Sequence, residues 1–249
     1  MKRILIAGLV LSAFTVAGQE LKKITVNLKF LNSGLLIKED YHVLKDDQKI
    51  WHGPYEKTKN NILIEQGQYK DNKKDSTWIK LGGYGDIVVK GNYAQGKKIG
   101  VWQYFTKEGE LEQEYDFTKN ELLYFKPEKT KKIYQIISDK ETFYDSLSRP
   151  PLLIGGNHTY LQKLEDTFCN LHINTNYGGT VFVRFVIDET GKGSKYKTIK
   201  KGDSNLDDTA LRIVRQLGNW LPAIRDGKPV KVVHVVPIVF DNISFVDAF

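Results

Sequence analysis

Few side chains in this chain have the types and spacing that chemistry needs. Cys169 and His172 lie three residues apart, a spacing that two metal ligands can share, with His158 as the nearest further candidate. A stable site needs three or four converging ligands, so this group is not expected to hold a metal. Ser, His and Asp occur without a nucleophile elbow. The glycines fall in turn-like stretches rather than in a phosphate-cradling loop. The expectation is a non-enzymatic protein without a cofactor. What remains is backbone chemistry. Lys231, Val233 and Val235 alternate with Val232, His234 and Val236 in a β-prone run, and Pro237 follows. A proline lacks the donor that a central strand needs, which places the run at a sheet edge or a bulge. An open edge offers N–H and C=O groups to an extended peptide. Lys231, Val232, Val233, His234, Val235 and Val236 are the residues that such an edge would present to a partner. The plain alternative is a strand that closes the domain and binds nothing.

The elements that must position this run are legible around it. Leu161, Leu164 and Phe168 have helical spacing within Tyr160 to Phe168. Thr180 to Ile187 reads as a strand with both faces largely buried, followed by a turn at Asp188 to Gly193 and a strand from Ser194 to Lys200. Ser204-Asn205-Leu206-Asp207 opens a helix with a capping-box pattern. Its apolar face is Leu206, Ala210, Ile213, Val214 and Leu217, and Gly218 stops it. Asp226-Gly227-Lys228-Pro229 turns into the last strand, Val230 to Phe240.

The first half has an internal period. Gly67-Gln68-Tyr69 recurs as Gly91-Asn92-Tyr93, and Lys73-Lys74 with Trp78 recurs as Lys97-Lys98 with Trp102, each 24 residues apart. His52 to Tyr55 and Tyr115 to Phe117 fit weaker outer copies. Aromatic strands joined by Asn-Lys-Lys and Gln-Gly-Lys turns describe β-hairpins. A lone hairpin is marginal in water, so neighbours must share a core. Trp51, Trp78, Trp102, Tyr69, Tyr93 and Tyr104 are expected to fill that core; the other reading is an exposed row that binds glycan or peptide. Lys126 to Lys132 is a polar charged break, and Ile133 to Leu147 could form a short helix or an extra strand.

Met1-Lys2-Arg3, the apolar run Ile4 to Val16 and the small residues around Gly18 have the three parts of a cleavable signal peptide. The apolar run is shorter than the ~20 residues that span a bilayer, and the mature chain is expected not to span the membrane. The net charge is +7, and removal of Lys2 and Arg3 leaves +5. That excess is spread evenly, unlike the one-sided patch of a nucleic-acid binder, and suits mild attraction to anionic envelope surfaces. One cysteine excludes an internal disulfide.

Gly178-Gly179-Thr180-Val181, Leu206-Asp207-Asp208-Thr209-Ala210-Leu211, Trp220-x-Pro222-Ala223, Gly227-Lys228-Pro229-Val230 and Pro237-Ile238-Val239-Phe240 occur in order. Together they resemble the TonB C-terminal domain family over residues ~150–240. The pattern from Gly91 to Tyr104 resembles MORN-type repeats over residues ~45–125, and the combination resembles Bacteroidota envelope proteins. The resemblance implies an α+β fold, in which an N-terminal antiparallel β-hairpin repeat sheet precedes a TonB-like domain of two helices on a three-stranded antiparallel sheet. The expected organisation is a signal peptide (1–18), a repeat domain (19–125), a linker (126–148) and the TonB-like domain (149–242). The implied role is a periplasmic binding protein, or a secreted one, that pairs with a peptide segment of an envelope partner by strand addition, with Lys231, Val232, Val233, His234, Val235 and Val236 as the partner-binding residues. An outer-membrane receptor and peptidoglycan are the candidate partners, and nucleic acid is not. Alternatives are a TonB-type energy transducer and a peptidoglycan-associated scaffold. The seven scattered prolines provide no long Pro-rich spacer, which the transducer role requires.

Overall fold

The computed structural model describes residues 20–30, 34–128, 130–171, 179–199, 204–218 and 220–240. The signal-peptide reading of residues 1–18 lies outside them. Nine strands come first: β1 (Leu21–Phe30), β2 (Leu35–Leu44), β3 (Trp51–Lys59), β4 (Ile62–Lys70), β5 (Lys73–Leu81), β6 (Ile87–Ala94), β7 (Lys97–Phe105), β8 (Leu111–Asp116) and β9 (Glu121–Phe125). They form one antiparallel meander in sequence order. Two left-handed residues close each of the tight turns, Asn60-Asn61, Asp71-Asn72 and Gln95-Gly96. Paired positive φ values match the right-handed twist of the flanking strands, which is why Asn, Asp and Gly recur there.

The 24-residue period appears in the hydrogen bonds themselves. The Trp78 Nε1–H donates to the Gln68 carbonyl at 3.1 Å, and one unit later the Trp102 Nε1–H donates to the Asn92 carbonyl at 3.1 Å. In the wider connections, Gly82 N–H meets Asp86 O, and Thr106 N–H meets Glu110 O, both at 2.8 Å. Each indole lies flat over a glycine: a Cβ at Gly67 would be 2.2 Å from Trp78, and one at Gly91 would be 2.1 Å from Trp102. The repeated Gly-x-Tyr thus exists because a tryptophan from the next strand occupies the space of the glycine side chain.

The aromatic residues line one face of this sheet as a continuous ladder. Ring centroids run from Tyr41–Trp51 (4.0 Å) through Trp51–Tyr69 (5.0 Å), Tyr69–Trp78 (5.2 Å) and Trp78–Tyr93 (6.0 Å) to Tyr93–Trp102 (4.9 Å). Most contacts are edge-to-face, the geometry that aromatic quadrupoles favour. Trp78, Trp102 and Tyr104 are buried, whereas Trp51, Tyr69 and Tyr93 are half-buried.

The second half continues with β10 (Ile133–Ile137), β11 (Thr142–Ser146), β12 (Leu152–Leu153), α1 (Gly156–Leu171), β13 (Thr180–Ile187), β14 (Gly193–Thr198), α2 (Ser204–Leu217), β15 (Trp220–Leu221), β16 (Ala223–Arg225) and β17 (Lys228–Val239). The main sheet has the order β11-β10-β17-β13-β14, with β16 also on β17, and β12 pairs β15 separately. Two corrections to the sequence reading follow. The sheet is not three-stranded, and residues 133–146 are not linker: they form a hairpin whose Ile136 is buried among Val232, Phe185 and Ile213. Arg225 fixes the hairpin by donating to Asp145 at 2.8 Å, and the Arg149 guanidinium donates to Pro222 O at 2.8 Å. The α2 face is as its periodicity requires, with Ala210, Ile213, Val214 and Leu217 in the core and Leu206 packed at its margin.

Helix α1 begins four residues before Tyr160. Its first turn is held from outside: the Glu112 carboxylate of β8 accepts the Asn157 N–H at 3.0 Å, a cap supplied by another element. Gln113 beside it donates to Leu153 O at 3.1 Å and accepts the Gly155 N–H at 2.6 Å. These bonds join the repeat sheet to the second half. Among the described residues no helix is long and apolar enough to cross a membrane.

Candidate functional site

Strand β17 is paired with β13 from Val232↔Ile187 to Val239↔Thr180. The Phe240 N–H bonds Gly179 O at 2.7 Å just past this ladder. Hydrogen-bonded and non-hydrogen-bonded pairs alternate in an antiparallel ladder. Val232, His234, Val236 and Ile238 therefore direct their backbone groups at β13. Val233, Val235, Pro237 and Val239 direct theirs to the opposite side. On that side the β10 register takes Lys231 (opposite Ile137) and Val232 (opposite Ile136) and goes no further. The other end of β17 is occupied by β16 from Lys228 to Val230.

The six sequence-predicted residues thus divide. Lys231 lies against β10, which corrects its assignment to an open edge, and Val232, opposite Ile136, bonds toward β13; the strand beside them comes from the segment read as linker. Lys231 also lies 3.7 Å from Glu189. Val233 faces the β10 side, next to that pair. His234 and Val236 bond toward β13. Val235 is 40% exposed and has outward backbone groups. Among the described residues no strand pairs with the outward side of Val235, Pro237 and Val239, and the last two, beyond the predicted run, complete the open stretch. Pro237 is tolerated because its missing N–H belongs on the open side, where no ladder bond is lost. Its carbonyl accepts the Tyr160 hydroxyl from α1 at 2.6 Å. Sequence reasoning did not single out Tyr160; its i−1 position relative to the helical stripe at Leu161 carries no such signal.

Arg184 on β13, opposite Val235, donates across β17 to Gln135 of β10 at 3.0 Å. On the same face of β13 and β17, Phe182, Val235 and Val239 are exposed, whereas Val186 and Val233 are buried. The open stretch is therefore flanked by an apolar surface with one guanidinium.

His234 lies on the opposite face, with its ring 5.6 Å from Phe185 and 5.1 Å from Trp220. Burial, and secondarily the charge of Lys132, pushes its pKa from 6.5 down to about 4. The folded value is below the unfolded one, so the neutral ring stabilises the fold above pH 6.5, and that stability is lost as pH falls toward 4. The expected loss is at most about 3 kcal/mol. Urea titrations at stepped pH should show this fall, and His234→Phe should flatten it; an unchanged slope in the variant would refute the assignment.

Of the three residues set aside as metal ligands, His158 is buried in the first turn of α1, and burial together with Lys80 and Lys98 holds its pKa near 3. The Cys169 side chain and His172 lie outside the described residues. Among the described residues there is no cluster of three or more His, Cys, Asp or Glu.

Residues 170–241 match the family described as the Gram-negative bacterial TonB protein C-terminal. The matched stretch contains β13, β14, α2 and all of β17, including its open edge. No curated protein and no solved structure matches the chain.

Proposed function

We propose that this chain is a non-enzymatic envelope binding protein that acts in the periplasm. Its TonB-like half captures an extended peptide segment of an outer-membrane or periplasmic protein by strand addition. One observation carries the reading: within the TonB-matched stretch, Val235 and Val239 aim backbone donors and acceptors away from β13, beyond the end of the β10 register. A peptide strand placed there would extend the line of β10 along β17. Pro237 interrupts the donor row, so the affinity rests on Val235 and Val239 and on side-chain contacts with the exposed Phe182–Val235–Val239 surface. The MORN-like repeat sheet, hydrogen-bonded to that half through Gln113 and Glu112, serves as the second docking module.

The test is a single proline. Val235→Pro removes an outward N–H without breaking the β13 ladder, so it should cost about 1 kcal/mol of stability or less and weaken a selected extended peptide by roughly tenfold. Val236→Pro removes a ladder donor and should unfold the domain. The reading fails if a library of extended envelope-protein segments yields no binder, or if the Val235 variant binds unchanged.

A further inference from the structure

The repeat supplies its own internal control for one lysine. In the first clear unit, the Lys74 ammonium lies 3.7 Å from the Trp78 ring centroid and meets Glu65 Oε1 at 2.9 Å. One period later, Lys98 lies over Trp102 in the same way, 4.2 Å from its centroid. The position equivalent to Glu65 is now Val89, which is buried. Lys98 donates to the Tyr104 hydroxyl at 3.1 Å and makes no ion pair with any described residue. The other charges that act on it, Lys80 and Lys74, have the same sign. One unit has kept its counter-ion and the next has lost it.

Lys98 also opens onto the second half of the chain. It lines a cleft of about 730 Å³ together with Lys192, Asn120, Thr159, Thr190 and Trp220. That size suits a small molecule, and among the described residues no Asp or Glu lines the cleft, although the Thr190 hydroxyl at its wall donates to Asp188 at 2.6 Å. Trp220 encloses its indole N–H without a hydrogen-bond partner. The wall near Trp220 is tightly built, since a Cβ at Gly191 would come within 2.0 Å of the Trp220 carbonyl oxygen.

We propose that this cleft binds a small anionic carbohydrate, with the carboxylate or phosphate held by Lys98 and the hydroxyls by Asn120, Thr159 and Thr190. The chemistry follows the lining. A desolvated ammonium without a carboxylate is completed by an anion, and hydroxyl and amide side chains beside aromatic rings suit a polyol with apolar ring faces. Burial and the two like charges push the Lys98 pKa down to about 8, so an arriving anion would also relieve that strain on the ammonium.

The full mature chain would be titrated with glucuronate, a glucose phosphate, glucose and inorganic phosphate, with tryptophan fluorescence as the readout. Both acidic sugars should bind and glucose should not. Lys98→Met keeps the packed stem and should weaken binding by roughly tenfold or more. Asn120→Gly, which accepts the φ of 55° at that turn, should weaken it measurably and carries the test if the Met variant does not fold. Lys74→Met should leave binding unchanged. Equal binding of glucose, or of inorganic phosphate alone, overturns the carbohydrate assignment; no binding of either acidic sugar, or full binding by a folded Lys98→Met variant, overturns the site.

Discussion

Gly91→Ala should destabilise the repeat sheet by about 3–5 kcal/mol, a loss comparable with deletion of a buried aromatic side chain. The backbone is not the cause, because Gly91 does not adopt a left-handed conformation. The cause is Trp102. A Cβ at position 91 would lie 2.1, 2.3 and 2.5 Å from three indole atoms, whereas ordinary contact begins near 3.4 Å. The indole cannot withdraw cheaply: it is buried, its N–H is bonded to Asn92 O, and Tyr93 stands 4.9 Å away at right angles. Moving it would displace the next rung of the ladder. Chemical denaturation of Gly91→Ala gives the magnitude, and a double-mutant cycle gives the mechanism. In the background of Trp102→Leu, the alanine should add little, since the clash partner is gone. Additive losses, or a Gly91→Ala variant within about 1 kcal/mol of the parent, would show that the glycine has another role. Gly67 and Trp78 should behave as the same pair one period earlier.

That pair also shows what a sequence can disclose. Gly67, Gly91, Trp78 and Trp102 repeat because one geometric problem, an indole over a strand, is solved twice in the same way. The strand at Thr180–Ile187 and the apolar stripe of α2 are legible for a similar reason, since a local period of two or of 3.6 reports which face is buried. The hairpin β10–β11 has no such mark. Ile136 becomes core only because β17 lies beside it, a partner almost a hundred residues away. The start of α1 is equally silent, because its cap is a carboxylate on β8. At the candidate edge, the composition of Lys231 to Val236 identifies a strand but not its phase. Whether Val235 or Val236 faces outward is decided by the register with β13, and the loss of Lys231 to β10 is decided by a segment that reads as linker. The proline was informative in a narrower way: it marked the outward side at its own position.

Gln113→Leu should cost about 2–5 kcal/mol and split one thermal transition into two. Gln113 is the most enclosed polar side chain joining the halves, at 2% exposure. Its amide serves both partners at once, donating to Leu153 O and accepting the Gly155 N–H. Leucine fills the volume but satisfies neither, and a buried backbone donor without a partner costs more than the lost bond alone. The consequence spreads because of where those groups are. Leu153 belongs to β12, which pairs with β15, and Gly155 immediately precedes the first turn of α1. Glu112 grips that same turn through Asn157, and Tyr104 would lie 3.1 Å from a Cβ at Gly155. Release of Gln113 therefore loosens the start of α1 against the sheet while leaving the cores of both halves intact. Calorimetry should show the parent melting as one unit and should resolve the repeat sheet from the TonB-like half in the variant. Gln113→Glu is the companion: at neutral pH it sets a buried charge against the Leu153 carbonyl, so it should destabilise at least as much as leucine, and it should recover as falling pH protonates the carboxyl and restores a donor. A leucine variant that melts in one transition at the parental temperature would show that the two halves are joined by packing alone.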